Sequence, residues 1–195
     1  MQDDISQNQS DDFVKSDRVS LDWQYSHAFT DHKITAGLYA VVEEASSLSF
    51  GSRFDADTDI RAVFVQDQLT LGRHKAFVAL RLTDHEAFGR HVTWNAEYAY
   101  EFNEAWTVNA GLGHAFRAPD ASDRFGFGGN IVLEPELADE IQIGLRFTPN
   151  ERHRLDFELY SNNIEDLIDF NALFSLDDAG LRDTFTPLIG VEYSF

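Results

Sequence analysis

The chain has 195 residues, enough for one large domain, and its 34 acidic against 15 basic residues give a net charge of −19. This acidic balance argues against nucleic acid as a partner, because phosphate binding needs Lys and Arg. The chain has no cysteine, which excludes a disulfide framework and a thiolate metal site. It also has no run of about 18 apolar residues, which excludes a transmembrane helix.

Alternation of apolar and polar residues predicts about nine β-strands. Residues 1–14 are mostly polar, and we expect them to precede a β-domain at residues 15–195. Successive side chains of a strand point to opposite faces, so each segment has one apolar and one polar face. The alternating apolar residues, in chain order, are Val19, Leu21, Trp23 and Tyr25; Ile34, Ala36, Leu38, Ala40 and Val42; Ile60–Leu71, where the alternation is blurred; Ala76, Val78, Leu80 and Leu82; Val92–Phe102; Trp106–Leu112; Ile141–Phe147; Leu155, Phe157 and Leu159; and Ile189–Phe195.

The segment between residues 92 and 112 shows the pattern most clearly. Two alternating runs flank the short sequence Asn103-Glu104-Ala105, which predicts a hairpin. If the apolar face meets lipid, the outward residues are Trp94, Tyr98, Val108, Leu112, Ile143 and Leu145, and the inward residues are Asn95, Glu97, Asn109 and Arg146.

Short and long connections alternate along the chain. The short ones lie near Thr30, Gly72, Glu104 and Asn150, and the long ones are predicted at residues 46–59, 83–90, 118–139 and 163–184. Outer-membrane barrels have short periplasmic turns and long extracellular loops. Aromatic residues gather at the short-turn end, as at a membrane interface: Tyr25, Phe29, Tyr100, Phe102, Trp106, Phe147, Tyr193 and Phe195. The fold class predicted is therefore all-β, an antiparallel transmembrane β-barrel portion of about nine strands, with a soluble sandwich as the alternative.

The end of the chain supports the membrane interpretation. Ile189, Val191, Tyr193 and Phe195 share one face of the last strand, and a terminal aromatic residue resembles the assembly signal of outer-membrane proteins. Strands one and nine would run in the same direction, so their direct pairing would be parallel. Because bacterial barrels are antiparallel and even-numbered, we expect a curved sheet that does not close regularly.

The sequence contains few other signs of a metal, cofactor or catalytic site. Asp55–Asp59 has the opening spacing of a calcium loop, but Ile60 stands where Gly is needed and Gln66 where Glu is needed. An acidic solvated loop is the simpler interpretation. No metal site, cofactor site or catalytic constellation is predicted, so the protein is not expected to be an enzyme.

The segment "GLGHAFRAPDASDRFGFGGNIVLEPELADEIQIGLRF" resembles the TonB-dependent receptors. It contains the run Phe116-Arg117-Ala118-Pro119, the loop Gly129–Glu136 and the strand residue Glu140. The stretch "LYSNNIEDLIDF", residues 159–170, is similar to the strand that follows in the family. Within the family, "FGRHVTWNAEYAYEF" and "IEDLIDF" look most like the cobalamin transporters. The likeness is clear in the motifs of Phe88–Phe170. Over Asp12–Thr83 it rests only on the alternating pattern of the strands.

The resemblance implies a 22-stranded barrel with a plug and an N-terminal box that contacts TonB. Neither plug nor box is found in these 195 residues, nor is a signal peptide in "MQDDISQNQSDD". We therefore expect a shortened barrel portion that does not carry out energised transport alone.

Three functions remain open. The first is a receptor barrel in the outer membrane whose relatives import cobalamin or ferric siderophores. Its partners would be outer-membrane lipid, the barrel assembly machinery and a cobalamin or iron-chelate ligand, and contact with TonB would depend on the box. Its candidate ligand-binding residues lie in the loop at 118–139: Arg124, Phe125, Phe127 and Asn130. The second is a small passive barrel, a pore or a structural protein. The third is a soluble all-β binding module.

Overall fold

A computed structural model describes residues 12–49, 51–170, 175–178 and 180–193. Its main element is a nine-stranded antiparallel sheet in the order β1-β2-β3-β4-β5-β6-β7-β8-β11. In this part of the chain, no helix is both long enough and apolar enough to cross a membrane. The strands are β1 (Phe13–Ala28), β2 (His32–Ser49), β3 (Ser52–Leu71), β4 (His74–His85), β5 (Gly89–Glu101), β6 (Trp106–Arg117), β7 (Glu136–Asn150), β8 (His153–Glu165) and β11 (Arg182–Tyr193). A separate hairpin of β9 (Ile168–Phe170) and β10 (Leu176–Asp178) and a short helix, α1 (Ala121–Phe125), complete the fold.

The strand register confirms the two-faced pattern. Tyr98, Ala110, Ile143 and Leu159 lie opposite one another across four strands, so they share one face. Asn95, Gly113, Glu140 and Asn162 form a parallel row on the other face. Predicted outward residues Trp94, Tyr98, Leu112, Ile143 and Leu145 are all exposed. The alternation in the sequence therefore reflects one apolar face open to the surroundings and one polar face.

The polar face is concave. A cavity of about 740 Å³ is lined by Asp22 of β1 and Asn162 of β8 as well as by Gln66 and Asn95 of the strands between them. Residues from opposite sides of the sheet reach the same cavity only if the sheet curves around it. Buried side chains such as Thr35, Val41, Ala62, Thr83 and His85 also lie on this face. The curvature encloses the polar face and leaves the apolar face outside.

The sheet has two open edges within the described residues. β1 pairs only with β2, and β11 pairs only with β8. Both edge strands run from the long-loop end to the short-turn end, so their direct pairing would be parallel. The structure thus confirms the count of nine strands and the incomplete closure expected from it. β1 begins at Phe13, just before the predicted boundary at residue 15.

Two of the four predicted long loops are wrong. Residues 46–59 belong largely to β2 and β3, which pair without interruption up to Ser49 and Ser52. Residues 83–90 are strand except for a turn at 86–88. With 18 and 20 residues, β2 and β3 are longer than the 9–11 residues that a bilayer-crossing strand needs, and the apolar alternation ends while backbone pairing continues. Asp55–Asp59 lies in β3, so the calcium-loop alternative does not hold.

The aromatic cluster at the short-turn end is present. Trp106 and Phe147 stack at 4.2 Å between ring centroids, and Tyr100 packs edge-on against Phe102 at 4.9 Å. On β1, His27 lies between Tyr25 and Phe29, with ring centroids 6.5 and 4.7 Å away. The side chain of Tyr193, and Phe195 as a whole, lie outside the described residues. The observed rings confirm the predicted clustering at one end of the strands.

Replacing Gly37 with Ala is expected to destabilise the sheet. A methyl group there would overlap the Phe64 ring and lie 2.7 Å from the Trp23 carbonyl oxygen. We expect a cost of roughly 1–2 kcal/mol, toward the lower end of overpacking penalties. Gly113→Ala is the matched control, because a methyl group there meets nothing closer than 3.7 Å. Denaturant unfolding of both variants in detergent measures the difference, and equal stability would contradict the close approach of Phe64.

Candidate functional site

The connection between β6 and β7, residues 118–135, begins with the helix α1. Asp120 caps it: the backbone N–H of Asp123 donates to Asp120 Oδ1 at 2.8 Å, and the backbone N–H of Asp120 donates to Asp123 Oδ2 at 3.1 Å. Gly126 ends the helix by donating its N–H to the Ser122 carbonyl oxygen at 2.9 Å. A helix of five residues has little stability of its own, so this capping box and the contacts below hold it in place.

Arg117, the last residue of β6, connects both ends of this loop. Its guanidinium lies 3.1 Å from Asp123 Oδ2 in α1 and 3.0 Å from Glu136 Oε1 at the start of β7. Both carboxylates are mostly buried, whereas Arg117 is half exposed. The hydrogen bond to Glu136 is the main cause that raises the pKa of Arg117. Arg117, the arginine of the Arg-Ala-Pro motif, is thus the residue that anchors the loop.

The connection between β8 and β11 packs against the same loop. The N–H of Leu176 in β10 donates to the Gly128 carbonyl oxygen at 2.7 Å, and the N–H of Ile168 donates to Glu136 Oε1 at 2.8 Å. Leu133 and Leu176 are buried, at 3% and 7% exposure. The two connections therefore form one packed unit at the long-loop end of the sheet.

A cavity of about 240 Å³, here called the vestibule, lies between α1 and the polar face of β2–β4. The Arg124 guanidinium lies 4.7 Å from the centre of the Phe125 ring and 5.2 Å from that of Phe88. Phe125 also contacts Phe54 of the β2–β3 hairpin at 6.2 Å between ring centroids. Arg124 Nε is buried without a hydrogen-bond partner among the described residues. An oriented cation among aromatic rings can bind an anionic or aromatic ligand.

The larger cavity, here called the central cavity, is lined by residues of β1 and β3–β8, among them the polar Asp22, Gln66 and Asn95 and the apolar Phe64 and Phe116. Arg81 lies over the Tyr39 ring at 5.0 Å and donates through Nε to Thr83 Oγ1 at 3.2 Å. Asn95 Oδ1 and Asn162 Oδ1 are buried without a protein partner within the described ranges. These acceptors, together with the Arg81 guanidinium, make the concave face suitable for water or a polar guest.

Comparison with known proteins decides the family. The model of the family described as TonB dependent receptor-like, beta-barrel, matches residues 2–186. The chain belongs to this family. The fold is similar to that of the siderophore receptor PirA from Pseudomonas aeruginosa, at 21% identity and a TM-score of 0.77 over 89% of this chain and 36% of that one.

Two further receptors of known structure have the same fold. The copper transporter OprC matches at 16% identity and a TM-score of 0.74, covering 93% of this chain and 35% of that one. The ferric-catecholate import receptor Fiu from E. coli K12 matches at 14% identity and a TM-score of 0.70, covering 92% of this chain and 36% of that one. The chain thus spans about a third of the length of these receptors. The family described is one of receptors, in agreement with the prediction of a function other than catalysis.

The predicted ligand-binding residues of this TonB-dependent receptor barrel separate into two pairs. Arg124 and Phe125 line the vestibule together. Phe127 is exposed, and Asn130 shapes the loop by accepting the Val132 N–H at 3.1 Å. Sequence reasoning missed the other side of the vestibule, which is lined by Glu43, Thr83, His85 and Phe116. It also missed Phe54 and Phe88, whose rings contact Phe125 and Arg124. The hairpins that carry Phe54 and Phe88 were interpreted as loops, so nothing in the sequence placed these rings opposite Arg124.

Of the predicted assembly residues, Ile189, Val191 and Tyr193 belong to β11. Ile189 is exposed on the apolar face, opposite Phe157 of β8. The side chains of Val191 and Tyr193 are not described, and Phe195 lies outside the described residues. The described ranges contain no cluster of three or more metal-ligating side chains.

His85 lies buried in the lining of the vestibule. Its side chain is 6% exposed, and its Nδ1 accepts the Ala87 N–H at 3.2 Å, which requires a neutral ring nitrogen there. Burial, and then the charge of Arg124, lower the pKa of His85 below its ordinary value, although Glu86 opposes this. A lowered histidine pKa stabilises the folded vestibule above the unfolded value of about 6.5, and this contribution is lost as pH falls through the folded pKa.

We therefore expect the vestibule to loosen below pH 6.5, and His85→Asn to reduce that dependence. Asn retains an acceptor for the Ala87 N–H but does not titrate. Thermal unfolding between pH 7.5 and 5 measures the effect, with His27→Asn on the exposed face of β1 as the control. An unchanged pH profile in His85→Asn would show that other groups carry the dependence.

Proposed function

We propose that residues 15–195 form part of the outer-membrane barrel of a receptor that takes up a chelated metal, with residues 1–14 as a polar segment before it. The main support is the two-faced sheet: a continuous apolar face is exposed on the convex side, and a polar face lines cavities on the concave side. Lipid is the environment that such an exposed apolar face requires. The soluble binding module does not fit this surface.

The vestibule supports an anionic chelate as the ligand. Arg124 supplies a positive charge and Phe125 a flat apolar surface in the vestibule, and Phe88 lies against the same guanidinium, so charged oxygens on an aromatic ring can contact this group. The carboxylates of Glu43 and Asp120 also line the vestibule. Fiu and PirA are described as receptors for ferric catecholate and siderophore, respectively. We therefore assign ferric siderophores as the ligand class and Arg124 and Phe125 as contact residues, while Phe127 and Asn130 hold or border the loop.

Cobalamin is the second candidate, favoured by the likeness of residues 88–102 and 164–170 to the cobalamin transporters. Uptake of radiolabelled iron on catecholate siderophores and of radiolabelled cobalamin, in cells that produce the receptor, separates the two. We expect iron uptake that requires TonB from a whole receptor that contains these residues, and no energised uptake by this chain alone. Cobalamin uptake without iron uptake would replace the first ligand class by the second. Absence of both would favour the passive barrel.

Arg124→Ala should weaken siderophore binding by at least about tenfold, because a charged hydrogen bond contributes roughly 1.5–3 kcal/mol. Arg152→Ala, in the short turn between β7 and β8, is the matched control and should bind normally. Equilibrium binding of the ferric chelate to cells measures the change. Unchanged affinity in Arg124→Ala would place the ligand elsewhere.

Assembly in the outer membrane depends, in this proposal, on Ile189, Val191, Tyr193 and Phe195, which the barrel assembly machinery would recognise. Phe195→Ala should lower the amount of protein recovered in the outer-membrane fraction. Phe185→Ala, on the same strand and face but far from the end, should lower it less. Equal recovery of both variants would contradict a role for the terminal residue.

A further inference from the structure

Glu43 brings a negative charge into the wall of the vestibule that lies opposite Arg124. This wall is formed by alternate strand residues, among them Glu43 and Ala45 of β2 and Ala56, Thr58 and Ile60 of β3. Successive strand residues face opposite sides of the sheet, so these residues lie on the concave face and Glu44 lies on the convex face. The other wall is the loop after β6, which supplies Arg124 and Phe125. The vestibule therefore has a carboxylate on one wall and a guanidinium on the other.

The Glu43 carboxylate has no cationic partner among the described residues. None of their lysine, arginine or histidine nitrogen atoms lies within 4.0 Å of it. Arg18, its neighbour on β1, instead donates to the Tyr39 hydroxyl at 2.6 Å. Asp120 also lines the vestibule, but its carboxylate accepts the Asp123 N–H at 2.8 Å and caps α1. Glu43 thus supplies the negative charge that a ligand can reach.

The size of the vestibule brings Glu43 and Arg124 close to the same bound group. Its volume of about 240 Å³ is below the range of roughly 300–1,000 Å³ that encloses a whole drug-sized ligand. A ferric chelate would therefore insert one arm between the two walls. A carboxylate without a partner in a partly buried site repels an anionic group and attracts a cationic one. An arm with a positive group towards Glu43 and an aromatic or negative group towards Arg124 matches both walls.

We propose that Glu43 determines specificity, and that the vestibule selects ferric chelates that carry a protonated amine beside an aromatic arm. This inference rests on the proposed function, because it names the chemical class of siderophore that the same site takes. The amine pairs with Glu43, and the ring lies beside Phe125, where Arg124 contacts its oxygen atoms. The carboxylate also disfavours chelates whose arms carry only negative charge.

The test compares two forms of one ligand, a synthetic ferric tris-catecholate with a pendant primary amine and its N-acetylated form. Acetylation removes the positive charge but leaves an N–H donor, so the pair separates charge from hydrogen bonding. Equilibrium binding of both forms to cells that produce the receptor gives a ratio of affinities. We expect the amine form to bind about fivefold more tightly, which is the upper value for an ion pair in contact with solvent.

Three variants assign this ratio to Glu43. Glu43→Gln should bring the ratio to about one, because the amide keeps the size of the side chain and removes its charge. Glu44→Gln is the matched control: it removes the same charge from the next residue of β2, on the convex face, and should leave the ratio unchanged. Thr58→Lys, at the position that pairs with Glu43, should also abolish the preference, because its ammonium neutralises the carboxylate. A loss of folded protein would affect both ligand forms equally and would not change the ratio.

The outcomes separate this inference from the proposed function. The inference is wrong if the unmodified receptor binds both forms equally or prefers the acetylated form. It is also wrong if Glu44→Gln abolishes the preference as completely as Glu43→Gln does. In each of these cases binding of the chelate still supports a siderophore receptor. If neither form binds, the proposed ligand class fails and the inference fails with it.

Discussion

Replacing Ile143 with Lys is expected to cost about 2–4 kcal/mol of stability in a lipid bilayer. Ile143 lies midway along the outward face of β7, between Ile141 and Leu145, and is 53% exposed. If lipid covers this face, the lysine ammonium has no water and no carboxylate partner at that depth. Reversible unfolding by guanidinium in lipid vesicles measures the loss.

The control is Asn95→Lys on the concave face. Asn95 borders the central cavity, and its row continues through Gly113 to Glu140, a carboxylate that a new lysine can approach. We expect a cost well below that of Ile143→Lys. Equal costs at the two sites would end the membrane interpretation of the apolar face, because a soluble protein has no reason to distinguish exposed positions in this way.

Replacing Arg117 with Ala is expected to release the loop at 118–135. The change leaves the mostly buried carboxylates of Asp123 and Glu136 without their shared cation. Charged hydrogen bonds contribute about 1.5–3 kcal/mol each, and half exposure of Arg117 reduces their sum to about 2–3 kcal/mol. That free energy corresponds to roughly a 30- to 150-fold larger open population of the loop.

Trypsin cleavage after Arg124, in the protein inserted in membranes, measures this population. Arg117→Lys should give an intermediate rate, because one ammonium replaces two separate guanidinium contacts. Arg152→Ala should leave the rate unchanged. Siderophore binding should fall in parallel with loop opening, since α1 carries Arg124. An unchanged cleavage rate in Arg117→Ala would show that Leu133 and the capping box hold the loop without the ion pairs.

The side-chain period of a strand made the fold predictable from the sequence alone. Residues such as Trp94, Tyr98 and Asn95 could be assigned to faces because a strand alternates with a period of two, whatever its neighbours are. The strand count, the same direction of the first and last strands, and the clustering of Trp106 and Phe147 at one end followed from that period and from turn positions. The sequence also marked Arg117 and the loop after it as a distinctive motif.

Tertiary structure alone decided where strands end and which side chains meet. Asp55–Asp59 carries no apolar pattern although its backbone remains paired with β2, because backbone pairing does not require an apolar side chain. The vestibule depends on curvature, which brings Phe54, His85 and Phe88 to Arg124 from strands that are distant along the chain. Likewise, register places Arg61, Asp84 and Arg90 in one row across β3, β4 and β5. Local sequence specifies neither register nor curvature, because both result from pairing between distant segments.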